Sequence, residues 1–158
     1  MPSPKTIVIV GGGPRGVSVL ERLVAILNSR RNVEELTIKL IDRIQPGAGA
    51  IWETSQTRVL CMNTLADAVT LFTEPGSTIS APIEPGPTLY QWIKATLYKS
   101  YNDDQNILTS FAEELHELRP ESHPSRALYG DILIGFTQVK AKSHHLYILK
   151  KSKHCSKI

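Results

Sequence analysis

A chain of 158 residues with a net charge of +3, 41% hydrophobic and 21% charged residues has the balance of one globular domain large enough to bury a core. The charge is too small to argue for a nucleic-acid partner, and no apolar run reaches the roughly 18 residues that a membrane-spanning helix needs. Cys61 and Cys155 make no disulfide framework, so a reducing, cytoplasmic setting is expected, and an apolar strand so close to Met1 leaves no room for a signal peptide.

The first element is Ile7-Val8-Ile9-Val10, four β-branched residues that predict a short strand buried on both faces, as in a parallel sheet. Gly11, Gly13 and Gly16 follow it with the G-x-G-x-x-G spacing that opens a dinucleotide-binding helix. Gly11 permits the tight turn off the strand, Gly13 clears the approach of a pyrophosphate to the backbone, and Gly16 lets the helix pack close to the strand. The helix N-terminus adds unpaired N–H groups and a partial positive charge.

That helix is predicted over about Pro14 to Leu27, with Leu20, Leu23, Val24 and Leu27 as its apolar stripe. Pro14 suits its first turn, where N–H groups have no helical partner. The polar stretch Asn28–Asn32 turns the chain into a second strand, Leu36–Asp42, which completes a βαβ unit. Asp42 stands where an acidic residue grips ribose hydroxyls, although it lies 26 residues after Gly16, beyond the usual spacing of roughly 20. The competing reading of Asp42 is a solvated carboxylate at a strand end. Arg43 beside it leaves open whether a ribose 2′-phosphate is met.

From Arg43 to Thr73 the pattern loosens into a glycine loop, Pro46–Trp52, and a short extended piece, Val59–Thr64. Long loops inside compact domains are usually functional. Met62 reads as core, and Trp52 divides evenly between core and site. Four prolines make Glu74 to Pro87 an irregular connection. Thr88 then begins a helix with Gln91 placed for a capping box, and Leu89, Trp92, Ile93 and Leu97 supply its apolar face. A second helix is predicted from Asp104 to Leu118, burying Ile107, Leu108, Phe111 and Leu115, with Glu113 and Glu114 on a solvated face. A third starts at Arg126, weakened by Gly130 and Gly135 at about 1 kcal/mol each relative to alanine. Leu146–Leu149 reads as another strand, followed by a lysine-rich tail. His144, His145, His154 and Cys155 lack the paired spacing of a metal site, so no metal is expected.

These pieces together resemble the FAD-NAD(P)-binding domain family of flavin-dependent hydroxylases and N-monooxygenases. The resemblance rests on Ile7–Gly16 with Leu20-Glu21-Arg22-Leu23, on Gly47–Trp52, on Met62-Asn63-Thr64 with Val69–Phe72, and on His123–Gly130. It implies an α/β, Rossmann-like FAD/NAD(P)-binding fold with a parallel sheet, incomplete at the C-terminus and carrying a helical insertion. Within one domain the expected parts are a βαβ unit over 5–42, a loop-rich flavin side over 43–87, a helical segment over 88–142, and a strand with a basic tail over 143–158. The resemblance also implies FAD as cofactor, NAD(P)H as co-substrate and a small-molecule substrate. It carries Gly11, Gly13, Pro14, Arg15 and Gly16 to the pyrophosphate, Asp42 and Arg43 to the adenosine side, and Trp52, Asn63 and Thr64 toward the rest of the flavin. No catalytic triad is proposed, because a flavin carries the redox chemistry itself.

The family's further strands, its second contact with FAD and its pyridine-nucleotide region have no counterpart here, so the chain is expected to be a truncated portion with an open sheet edge where copies of it can associate. Two readings compete with a flavin-dependent oxidoreductase of monooxygenase type. One is an NAD-dependent dehydrogenase fragment; the other is a non-catalytic nucleotide-binding or interaction remnant.

Overall fold

A computed structural model describes residues 5–30, 36–79, 82–103, 109–142 and 146–150. Strand β1 (Lys5–Val10), helix α1 (Pro14–Ser29) and strand β2 (Leu36–Asp42) form the expected βαβ unit. Strand β3 (Leu146–Lys150) pairs with the other side of β2, giving a parallel sheet of order β1-β2-β3. The register sets Ile7 beside Ile38 and Ile9 beside Leu40, so apolar residues of neighbouring strands share a face. Leu20 and Val24 of α1 close over Ile38 and Leu40, with Ile9, Leu23, Leu27 and Leu36 packed around them.

Only that face of β1 is covered. Val8 is 51% exposed and Val10 82%, contrary to a strand buried on both faces. The reason is layering: α1 packs on the side of Ile9, and among the described residues the opposite side, with Val8 and Val10, is left uncovered. Four β-branched residues in a row report strand propensity, and their burial depends on neighbours that a local pattern does not specify.

The long connection between β2 and β3 builds the larger core. Helices α2 (Leu89–Asp103), α3 (Ala112–Glu117) and α4 (Arg126–Lys142) carry Leu89, Ile93, Leu115, Leu128, Ile132 and Leu133 into one cluster, joined by Met62, Ala66 and Phe111. The capping box at the start of α2 is present: Gln91 N–H donates to Thr88 Oγ1 and Thr88 N–H donates to Gln91 Oε1, both at 3.2 Å. The described part of the predicted second helix is a 3-10 turn at Thr109–Phe111 leading into α3. Its first part, including Ile107 and Leu108, lies outside the described residues.

Glu114 is not a solvated carboxylate. It accepts from Ser125 N–H at 2.6 Å and Ser125 Oγ at 2.8 Å, while Ser125 Oγ in turn accepts from Leu128 N–H and caps α4. The start of α4 is thus fastened to α3. Gly130 likewise does more than weaken α4: a Cβ there would collide with the Trp52 carbonyl oxygen, so the glycine lets α4 lie against the chain at Trp52. The proline-rich connection is tied to α1 by Arg22, which donates to Pro82 O at 2.6 Å and pairs with the buried Glu21. Its hydrogen bonds to Glu21 hold the guanidinium above its ordinary pKa, with burial opposing. Among the described residues no helix is long and apolar enough to cross a membrane.

Candidate functional site

The site is built where β1 hands over to α1. Gly11 N–H donates to Ile41 O at 2.9 Å, extending the β1–β2 ladder by one residue, and the chain then turns with Gly11 at φ +100°. Glycine adopts that conformation without the clash a Cβ would bring. Gly16 provides the close approach: a Cβ there would strike the Gly11 carbonyl oxygen and contact Ile9 Cγ2 at 3.5 Å. Gly13 is extended (φ −74°, ψ −172°), and a Cβ on it would meet no heavy atom nearer than 3.9 Å. Gly11 thus makes the turn and Gly16 the close approach, while a Cβ on Gly13 would rest in ordinary contact with Ala48 O and Gly49 Cα.

Gly13 is the N-cap of α1 and gives it no side-chain cap. Val17 N–H donates back to Gly13 O at 3.0 Å, which starts the helical ladder. The N–H groups of the preceding turn have no helical acceptor. Pro14 has none to offer, which leaves those of Arg15 and Gly16 at the mouth of the turn. The Arg15 side chain is exposed beside them.

Asp42 sits underneath, only 8% exposed. Its Oδ2 accepts from Gly12 N–H at 2.8 Å, and its Oδ1 accepts from Ile44 N–H at 2.7 Å and Gln45 N–H at 3.0 Å. Asp42 is thus at the expected place, but it is a buried, hydrogen-bonded carboxylate and not a solvated one. Arg43 beside it is exposed to solvent.

The second glycine loop packs against the first. Gly47, at φ +102°, donates its N–H to Gly12 O at 2.7 Å, and a Cβ on it would lie 2.7 Å from Ile134 Cα. Gly49 N–H donates to Gln45 O at 2.6 Å, and a Cβ on Gly49 would lie 3.1 Å from Gly13 Cα. Two bonds between Gln45 and Thr54, at 3.0 and 3.2 Å, close this loop at its base. The loop thus touches the glycine turn on one side and α4 on the other. Its spacing signalled a loop, whereas these contacts depend on partners far along the chain.

Trp52 stands at the α4 end of that loop. Its indole meets the Tyr129 ring edge-on, with centroids 4.8 Å apart, and the Arg126 guanidinium lies 5.7 Å over it. Burial raises the Tyr129 hydroxyl above its ordinary pKa. Trp52 is half-buried and packs against the helical core, as its core reading expects. Asn63 and Thr64 are exposed, next to the buried Met62, whose N–H donates to Pro124 O at 2.8 Å. No hydrogen bond among the described residues joins Asn63 or Thr64 to the glycine turn. The structure brings Gly11, Gly13, Pro14, Arg15, Gly16 and Asp42 together, and connects Trp52 to them through Ala48, which abuts both Gly13 and Gly130. His144, His145, His154 and Cys155 lie outside the described residues.

Comparison with known proteins agrees with the sequence-derived resemblance. The chain is 37% identical over 131 residues to the L-aspartate N-monooxygenase (nitrosuccinate-forming) of Streptomyces davaonensis, covering 81% of this chain and 19% of that protein. It is 37% identical over 132 residues to the enzyme of the same name from Streptomyces cremeus, covering 79% and 19%. It is 39% identical to nitrosuccinic acid synthase NpaA of Aspergillus oryzae, covering 80% and 17%. The chain therefore spans about a fifth of the length of these relatives and matches a short FAD/NAD(P)-binding portion of them. A solved lysine monooxygenase, NbtG from Nocardia farcinica, superimposes only distantly, with a TM-score of 0.46 at 12% identity over 93% of this chain and 34% of that one. The sequence matches the FAD-NAD(P)-binding family over residues 8–144, and with that coverage the chain belongs to this family, whose cofactors are FAD and NAD(P)H.

Proposed function

We propose that this chain is the FAD-binding portion of an NAD(P)H-dependent N-monooxygenase that acts on a small amino acid. The observation that carries this reading is the mouth of the glycine turn. A Cβ on Gly13 would meet no heavy atom nearer than 3.9 Å, and beside it at the N-terminus of α1 the Arg15 and Gly16 N–H groups have no helical acceptor and can meet a pyrophosphate. A cradle of this shape would be filled by any side chain at Gly13, so the residues present fit the group. Asp42 has acceptor capacity left on Oδ2, which accepts one hydrogen bond, and that is where a ribose hydroxyl would bond. Arg43 and Arg15 add positive charge at the rim. The family resemblance assigns Trp52, Asn63 and Thr64 to the flavin end of the cofactor.

When bound, FAD would supply the redox chemistry for oxidising the substrate amine. The residues of this chain bind and orient the ADP half and, through the second glycine loop, exclude water from one side of it. The amino-acid substrate is carried over from the names of the relatives, two of which act on L-aspartate. Self-association through the open β1 edge, where Val8 and Val10 are exposed, and a cytoplasmic location belong to the same proposal.

The test is a titration of the purified chain with FAD and, separately, with NAD, followed by visible absorption and calorimetry. Retention of a flavin absorption band after removal of free FAD is the expected result. A colourless protein that binds NAD favours the dehydrogenase reading, and binding of neither favours a non-catalytic remnant.

A further inference from the structure

We infer that Asp42 is a positioning residue that holds two glycine loops against each other, so that its effect on cofactor binding is felt at the phosphates more than at the ribose. A carboxylate offers about four acceptor positions, and three of those of Asp42 are taken by backbone N–H groups from two different loops. Gly12 belongs to the first loop, Ile44 and Gln45 to the base of the second. The same residues close a circuit. Gln45 O accepts from Gly49 N–H at 2.6 Å, and Gly12 O accepts from Gly47 N–H at 2.7 Å. Asp42 is thus the side chain that joins the backbone of Gly12 to the backbone on which Gly47 and Gly49 depend.

The packing leaves no room for a different arrangement. A Cβ on Gly12 would lie 3.1 Å from both Asp42 Cβ and Pro46 Cα, so the turn rests directly on Asp42 and the second loop. Gly49 comes within 3.1 Å of Gly13 on the same measure, and Gly13 is the residue beside which the phosphate is received under the proposed function. Displacing Gly12 therefore shifts Gly13 and the free N–H groups after it. A ribose hydroxyl, by contrast, can reach one remaining acceptor position on a side chain that is 8% exposed.

Asp42→Asn separates the two roles. Its amide oxygen can keep the Ile44 and Gln45 bonds, but its NH₂ then faces the Gly12 N–H, donor against donor. Asp42→Ser, too short to reach Gly12, is the second variant. The probes are ADP and 2′,3′-dideoxy-ADP, which lacks the ribose hydroxyls, together with amide exchange at Gly12 followed by NMR. The expected result is that the wild-type chain binds the two nucleotides within about threefold, and that Asp42→Asn weakens both alike by about tenfold, the factor that loss of one such bond carries. The Gly12 amide, protected in the wild type, exchanges faster in both variants, while those of Ile38 and Leu40 stay protected. A loss of more than tenfold for the dideoxy nucleotide in the wild type that disappears in Asp42→Asn overturns the inference in favour of a ribose reader. An unprotected wild-type Gly12 amide, or one unchanged in the variants, also overturns it. The inference rests on the dinucleotide reading only through its nucleotide arm: if ADP does not bind the wild type, that reading fails, and the exchange at Gly12 still decides the role of Asp42.

Discussion

The two hydrophobic clusters of this protein differ in size and in what lies beyond them. Between α1 and the sheet, Leu20, Val24, Ile38 and Leu40 form a cluster of four buried residues, and the far side of β1 is exposed at Val8 and Val10. Among α2, α3 and α4 the cluster runs from Met62 to Leu133 and holds twelve of the described buried residues, with six partly buried side chains packed around them. The candidate site lies at the joint. Gly49 meets Gly13 on the sheet side, and Gly47 meets Ile134 on the helix side. The difference teaches that the cradle depends on the helical cluster, which lends it a fixed wall that a sheet covered on one face does not provide.

The largest expected effect tests that asymmetry directly. Truncating a buried leucine removes its transfer free energy and leaves a cavity, at a cost of about 2–5 kcal/mol. Leu128→Ala belongs in the upper part of that range, because Leu128 packs within the larger cluster, among eleven other buried residues. Leu40→Ala belongs in the lower part, because its cluster holds three other buried residues and the adjoining strand β1 is exposed on its far face. Urea unfolding of both variants checks the order; a larger loss for Leu40→Ala would reverse the comparison.

Gly130→Ala probes the joint itself. The added methyl would collide with the Trp52 carbonyl oxygen, and the chain at Trp52 and α4 must separate to make room. Overpacking of this kind costs about 1–3 kcal/mol. The variant is expected to lower Tm and to perturb Trp52 fluorescence along with it, since Trp52 packs on Tyr129 one residue away.

The smallest effect comes from Asp131 on α4, whose carboxyl burial pushes above the ordinary value of 3.8. Between that value and the raised one the folded protein holds more proton than the unfolded chain, so stability falls as pH rises through this window and stays lower above it. Asp131→Asn removes the penalty. It should stabilise the protein at pH 7 by less than about 1 kcal/mol, since the group is partly solvated, and bring no gain below the unfolded value. Thermal melts at the two extremes of pH give the sign.

Much of the architecture was legible because its signals are local. The stripe Leu20, Leu23, Val24 and Leu27 marks α1, alternation over Leu36–Asp42 marks β2, and Thr88 with Gln91 marks the start of α2. Gly11 and Gly16 were legible for the same reason, since the turn and the close approach follow from spacing. What the pattern missed is non-local. The exposure of Val8 and Val10 depends on which side of the sheet is covered, and the need for glycine at 130 depends on a carbonyl 78 positions earlier. Glu114 reads as one more surface acid until Ser125 is seen against it. For Asp42 the position was readable, but its backbone partners were not, because they come from the turn before it and the loop after it. Asn63 and Thr64 are exposed, and no hydrogen bond among the described residues joins them to the turn, so the family resemblance alone points to them.

The dinucleotide cradle is most directly tested by Gly13→Ala. The backbone at Gly13 is extended and no protein atom lies within 3.9 Å of the added methyl, so the fold accepts it. Alanine is a poorer N-cap than glycine, a loss of about 1 kcal/mol that the stiffer unfolded chain offsets by a few tenths. Under the proposed function the same methyl stands where the pyrophosphate approaches. The expected result is a folded protein with Tm lowered by no more than about 4 °C and FAD affinity reduced at least about tenfold, the cost of roughly one lost charge-assisted hydrogen bond. A folded Gly13→Ala protein that binds FAD as tightly as the wild type would contradict the assignment of this turn as the phosphate site.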